Sequence, residues 1–255
     1  MYRRIVDFHA HAFHDKIAEK AARNQYCGVP LAGNGRFCYL TQSMQDNHIT
    51  KMVVHATATK PEQVETINDY VAGLVTEDII GFGTLHPDYK GLAAELDRIE
   101  SLGLRGLKFH PIFQGFAIDD PGMYPIYEMA EGRLPILMHV GDKNSDAATP
   151  ARMAKVLDRF PKLTVIAAHL GGYGEWENAK RYLIGREGLY VDTSSSIRFM
   201  QPEEAAAMIR AHGTDRVLFG TDYPLSLHKP ELEIFDRLGL TQEENEQILW
   251  KNAYR

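Results

Sequence analysis

IVDFHAH, residues 5–11, begins as an apolar run and ends in two histidines one residue apart. A strand sends residues i and i+2 to the same side, so His9 and His11 present their imidazoles together. Seven further apolar runs follow: KMVVHAT (51–57), IIGFGTLHP (79–87), RGLKFHP (105–111), PILMHVG (135–141), LTVIAAHL (163–170), LYVDTSS (189–195) and VLFGTDY (217–223). Their near-continuous hydrophobicity suits strands covered on both faces, as parallel sheets require.

Between these runs lie PEQVETINDYVAGLVTED, GLAAELDRIESLG, TPARMAKVLDRFP and QPEEAAAMIRAHG, which read as amphipathic helices. Thr149 followed by Pro150 fits an N-cap and a first helical position. Gly103 and Gly213 stand where helix ends favour a left-handed residue. Thr241 and Glu244 have capping-box spacing ahead of QILWKN. Eight strand-helix units in 255 residues predict an α/β chain folded as a (β/α)8 TIM barrel, with a doubly wound open sheet as the alternative. A single domain over residues 1–255 is expected, interrupted by an irregular insertion at about 13–47. Its glycine-rich, aromatic segment CGVPLAGNGRFCYL reads either as a loop over the barrel mouth or as a surface excursion.

The net charge of −6 and the lack of a basic stripe argue against nucleic-acid binding. No apolar run approaches the roughly 18 residues of a membrane span. No signal peptide is seen, so a reduced, cytoplasmic setting is expected for Cys27 and Cys38, which read as incidental rather than as ligands or a bridge.

Seven of the 11 histidines fall inside the eight apolar runs, where uniform scatter would put roughly two or three. They are His9, His11, His55, His86, His110, His139 and His169, and each lies toward the C-terminal end of its run. That is the end where barrel active sites assemble. A catalytic divalent ion needs imidazole and carboxylate donors with one position left open for water. His9, His11, His139 and Asp222 are candidates for the donors. His169 is a candidate for a further ligand or for the group that moves protons.

DFHAH on the first run, ILMHVG on the fifth, VIAAHLGG on the sixth and LFGTDYP on the eighth resemble the amidohydrolase superfamily, in its amidohydrolase-2 (ACMSD-like) branch. The order and spacing hold from residue 5 to residue 224. The resemblance implies a (β/α)8 barrel with one divalent metal ion, usually zinc, held by His9, His11, His139 and Asp222. Manganese, iron or cobalt would suit the same donors. By the same resemblance His169 is an active-site acid/base or an additional ligand, and homodimers or larger assemblies are common; in the hydrolysis expected of such a site, the catalytic role of Asp222 is to accept the proton of the metal-bound water and pass it to the leaving group. Two-metal members of the superfamily often bridge their ions through a lysine or glutamate on the fourth strand, where this chain has Lys108. Lys108 is thus a bridge, a substrate-binding ammonium or a buried wall residue; the branch favours one metal and no bridge. Arg198 and Trp176 are further candidates for substrate contact, and Tyr173 for a pocket wall. His55, His86 and His110 read as packing or supporting residues.

The expected activity is metal-assisted hydrolysis of a small carbonyl substrate such as a lactone or amide, because the chain barely exceeds a bare barrel. The alternatives are nonoxidative decarboxylation (or hydration) of an aromatic or unsaturated acid, and a non-catalytic metal-binding barrel.

Overall fold

The computed structural model describes residues 4–25 and 29–254 of the chain; Cys27 lies outside the described residues. Eight parallel strands form two hydrogen-bonded runs, β1–β2–β3 and β4–β5–β6–β7–β8. The strands are β1 (Val6–His11), β2 (Lys51–His55), β3 (Ile79–Phe82), β4 (Leu107–Phe109), β5 (Ile136–Met138), β6 (Val165–Ala167), β7 (Leu189–Asp192) and β8 (Val217–Leu218). Both gaps between the runs are closed. Gly83 bridges to Leu107, and the Lys108 amide donates to the Gly83 carbonyl at 2.7 Å. At the other seam Ala10 bridges to Tyr223, and the Phe8 amide donates to the Phe219 carbonyl at 2.8 Å. The sheet is therefore a closed (β/α)8 barrel with no free edge, which removes the open-sheet alternative.

The strands are shorter than the apolar runs that announce them. His86, His110, His139 and His169 lie just past strand ends, where the chain leaves the ladder and turns at the barrel mouth. Val53, Phe82, Leu137, Ile166, Ala168 and Leu218 pack together inside the barrel. A larger apolar layer joins the strands to the outer helices.

The helices follow their capping residues. α7 (Pro150–Arg159) starts at Thr149, whose side chain accepts from the Arg152 amide. Gly103 has φ +79 after α4 (Leu92–Ser101). Gly213, after α9 (Pro202–His212), has φ +89 but ψ 119, so it turns the chain without entering the left-handed helical region. Thr241 and Glu244 form the reciprocal capping box of α11 (Gln242–Glu246). The following residues Gln247–Lys251 open into a wider π turn that buries Ile248 and Leu249.

The described residues of the stretch 13–47 are more regular than the irregular insertion expected. They include α1 (Ala18–Gln25) and α2 (Phe37–Asp46), and α2 buries Leu40 and Met44. Between the two helices, Ala32 and Gly33 donate their amides to the Pro224 carbonyl at 3.0 and 2.9 Å. A Cβ on Gly33 would stand 2.3 Å from the Tyr223 ring, so only glycine allows this contact. The segment is thereby tied to the end of β8 at the barrel mouth.

Candidate metal centre

His9 and His11 end β1, and both are buried. The β1–β2 register shifts between Asp7 and Ala10. The buried Asp7 carboxylate accepts from the His9 amide within that shift and from the Thr221 amide beyond β8, each at 3.0 Å, and from the Thr221 hydroxyl at 2.6 Å. This clasp brings the β8 end against β1. Gly220 completes the approach, since a Cβ there would lie 2.9 Å from the His9 Cβ.

The His9 Nδ1 lies 2.8 Å from Asp192 Oδ2. A carboxylate accepts only, so Nδ1 carries the proton and Nε2 presents a lone pair. That Nε2 is 3.3 Å from His11 Nε2 and 3.4 Å from Asp222 Oδ1; His11 Nε2 is also 3.4 Å from Asp222 Oδ1. A tetrahedral ion with bonds of about 2.0–2.1 Å has donors about 3.3–3.4 Å apart. The triangle has the edge length such an ion requires.

Beside it, a second pair of nitrogens faces inward. The His139 Nε2 is 2.9 Å from the Gly141 carbonyl and so carries the proton, which turns a lone pair on Nδ1 toward His169 Nε2 at 3.0 Å. The Ser194 hydroxyl gives its proton to Asp192 at 2.5 Å, so the His169 Nδ1 is left to donate to the Ser194 carbonyl at 3.0 Å. The His169 Nε2 is then also a lone pair. Two facing lone pairs repel unless a cation stands with them, and burial disfavours supplying it as a shared proton: His139 is held well below, and His169 below, the ordinary histidine range. The donor chemistry fits a divalent ion.

Electrostatics agree. Burial brings His11 down to about 3. Burial alone would raise Asp222, but His9, His11 and His169 hold it well below the carboxylate range. Asp192 is likewise pushed up by burial, yet His9 brings it down to about 2. Burial lowers Lys108 to about 8. Its Nζ is 3.0 Å from His9 Nε2 at the centre of the barrel. His169, Ser195 and Asp222 have φ of +62, +45 and +60, a region non-glycine residues avoid, and the framework holds them there. The Asp222 amide donates to the His9 carbonyl at 2.8 Å, and the His169 amide to Asp192 Oδ1 at 3.1 Å.

The mouth above the centre is lined by His11, His110, His139, His169 and Asp222, with Val29, Ile112, Phe113, Tyr173 and Leu225 as walls and Asp142 at the side. His110 is sandwiched between Phe113 (3.5 Å) and His139 (3.9 Å), which fixes the His139 ring. His86 serves the backbone, receiving the Asp88 amide and meeting the Gln114 carbonyl.

The three substrate-contact candidates fall elsewhere. Lys108 lies beneath the lining. Arg198 is drawn to Glu231 at 2.7 Å and to the Ser226 hydroxyl at 2.6 Å, because a fully buried carboxylate demands a cation. Trp176 opens α8 (Trp176–Leu183), donates to the His169 carbonyl at 3.1 Å and stacks on Phe199. Tyr173 does wall the pocket. Asp192, which orients His9, is not among the residues expected from the sequence, although like Asp222 it is a carboxylate toward the end of an apolar run, LYVDTSS.

The amidohydrolase family model (Amidohydro_2) matches residues 6–255. The chain belongs to this amidohydrolase family. It is 24% identical to a γ-resorcylate decarboxylase of Polaromonas sp. (strain JS666 / ATCC BAA-500), with 75% of each chain covered. A solved dihydroxybenzoic acid decarboxylase from Polaromonas sp. JS666, with bound manganese and the inhibitor 2-nitroresorcinol, superposes with TM-score 0.74 at 19% identity, covering 99% of this chain and 96% of that one. A solved structure from Pseudomonas putida, named as a putative 2-pyrone-4,6-dicarboxylic acid hydrolase, superposes with TM-score 0.68 at 18% identity, covering 99% of this chain and 97% of that one. Among the described residues no helix is long and apolar enough to cross a membrane.

The lowered histidines give a pH prediction. An imidazole of ordinary pKa 6.5 loses about tenfold in metal binding at pH 5.5, and three lose about a thousandfold. With His11 and His139 unprotonated well below that range, affinity should fall by only about tenfold or less between about pH 7.5 and 5.5. Chelator competition at the two pH values measures it; a thousandfold fall would show the imidazoles to be ordinary.

Proposed function

We propose that this member of the family is a metal-dependent, nonoxidative decarboxylase of a small aromatic carboxylic acid. The observation that carries the reading is the pocket lining: apolar and aromatic walls over a polar floor, with no lysine or arginine among the described lining residues. A dicarboxylated lactone would set a second carboxylate against Val29, Ile112, Phe113 or Leu225, at a desolvation cost with no cation to offset it. A substrate with one carboxylate at the floor and a flat ring between the walls meets no such penalty. The short chain, which favoured a hydrolase, loses its force because 96% of a solved decarboxylase chain is covered. Relatives described as decarboxylases support the same reading.

His9, His11, His139 and Asp222 would hold one divalent ion, with zinc or manganese suited to the donors. When bound, it supplies a Lewis-acidic centre that fixes the substrate's oxygen atoms. The chain's own groups do the rest. The walls exclude water and orient the ring. As the bond from ring to carboxyl carbon breaks, CO2 departs and the electron pair stays on the ring carbon, where it takes a proton. Asp222 Oδ2, 4.0 Å from His169 Nδ1 and hydrogen-bonded by the Ser195 hydroxyl at 2.6 Å, forms with His169 the pair that delivers this proton and regains one from solvent.

The two reactions leave opposite marks. Protein reconstituted with Zn2+ or Mn2+ should release CO2 from hydroxybenzoates such as γ-resorcylate and consume a proton for each turnover. Acid release from lactones without CO2 from any aromatic acid would replace this reading by the hydrolase.

A further inference from the structure

His55 ends β2 and is fully buried, yet neither of its ring nitrogens has a hydrogen-bond partner among the described residues. The β1–β2 register pairs His55 with His11, and the Ala12 amide, donating to the His55 carbonyl at 3.0 Å, keeps it there. Its ring stands 4.4 Å from that of His11 and 4.9 Å from that of His9, edge to face in both cases. Ligand atoms of His9, His11 and His55 lie within 4.8 Å of one another.

A neutral imidazole has one donor and one acceptor, and burying both without partners is unfavourable. Apolar packing would be served better by leucine or phenylalanine at no such cost. A lone pair aimed at the space shared with His9 and His11 is satisfied by a cation.

We infer that His55 is a metal ligand, a fourth imidazole beside His9, His11 and His139 that helps retain the ion when Asp222 lets go of it. This rests on the ion being held at the family's centre, but not on the substrate losing CO2. Its consequence concerns Asp222, which has been given two tasks. Protonation weakens a carboxylate's hold on an ion, and a further imidazole allows Asp222 to alternate between the two tasks.

The test is metal binding by the whole chain, separate from turnover. Apo wild type, His55→Ala, His55→Gln and Asp222→Asn are titrated with Zn2+ against a chelator, and Cu2+-loaded samples are examined by electron paramagnetic resonance. Both His55 variants should bind Zn2+ at least about tenfold more weakly, since even outer-shell partners of ligands are worth that much, and should lose one nitrogen from the copper hyperfine pattern. Asp222→Asn should keep the wild-type nitrogen count and bind nearly one equivalent. Thermal melts of the apo forms guard against misfolding: a His55→Gln protein that melts as wild type but binds weakly has lost a ligand. Wild-type affinity and an unchanged nitrogen count in that variant would overturn the inference, as would a wild type that takes up no metal. A hydrolase outcome in the substrate assay would overturn only the decarboxylase reading.

Discussion

Asp222→Asn is expected to lower turnover by about a thousandfold, within the range for loss of a general acid, while leaving the barrel folded and the metal in place. Asparagine is nearly isosteric with aspartate and tolerates positive φ, so the backbone at φ +60 and its amide bond to His9 survive. The amide can still face the Ser195 hydroxyl, but it cannot exchange a proton with a ring carbon. The group removed is therefore the chemical one and not the scaffold. Steady-state kinetics on metal-replete protein, with metal content and the circular dichroism spectrum measured on the same sample, check each part. Full turnover in a metal-replete variant would take the proton-transfer role from Asp222 and leave His169 to carry it.

The second large effect belongs to the pair that opens the chain. His9→Ala/His11→Ala removes two corners of the 3.3–3.4 Å triangle and should abolish binding of about one equivalent of metal, read by elemental analysis beside wild type. A loss of about two equivalents would make Lys108 a bridging candidate. The variant also strips Asp192 of its imidazole partner in a fully buried setting, a change on the order of 3 kcal/mol in the apo protein. The pH dependence has a definite sign. Asp192 is held at about 2, below the ordinary carboxylate value, so its stabilisation is present above about pH 4 and is lost as pH falls through about 2. Urea melts of the two apo proteins should therefore differ most near neutrality and converge in acid. A constant gap across that window would show that the His9–Asp192 bond is not the source.

Much of the barrel was legible because its signals are local. Strand runs, helix caps and the i, i+2 histidine pair depend on a few neighbouring residues, and Thr149, Thr241 and Glu244 cap their helices as their spacing predicts. Closure was not local. It depends on Gly83 meeting Leu107 and Ala10 meeting Tyr223, partners that no periodicity names. The same holds within the site: strand ends marked the histidines and Asp222, and the family resemblance named a ligand set, but the hydrogen bond of His9 to Asp192 joins residues 183 apart in sequence. That bond decides which nitrogen of His9 faces the centre.

Substrate contact was the least legible feature. Arg198 and Trp176 sit where a sequence reader would look for a grip, yet a buried glutamate captures one and a backbone carbonyl the other. From the chain alone come a parallel α/β barrel and the kind of chemistry its strand ends carry, because hydrophobic period and residue type are properties of short segments. Which side chains reach the pocket, which tautomers they hold and which charges are already paired were decided only on folding, because each depends on a partner that long-range packing brings within about 3 Å.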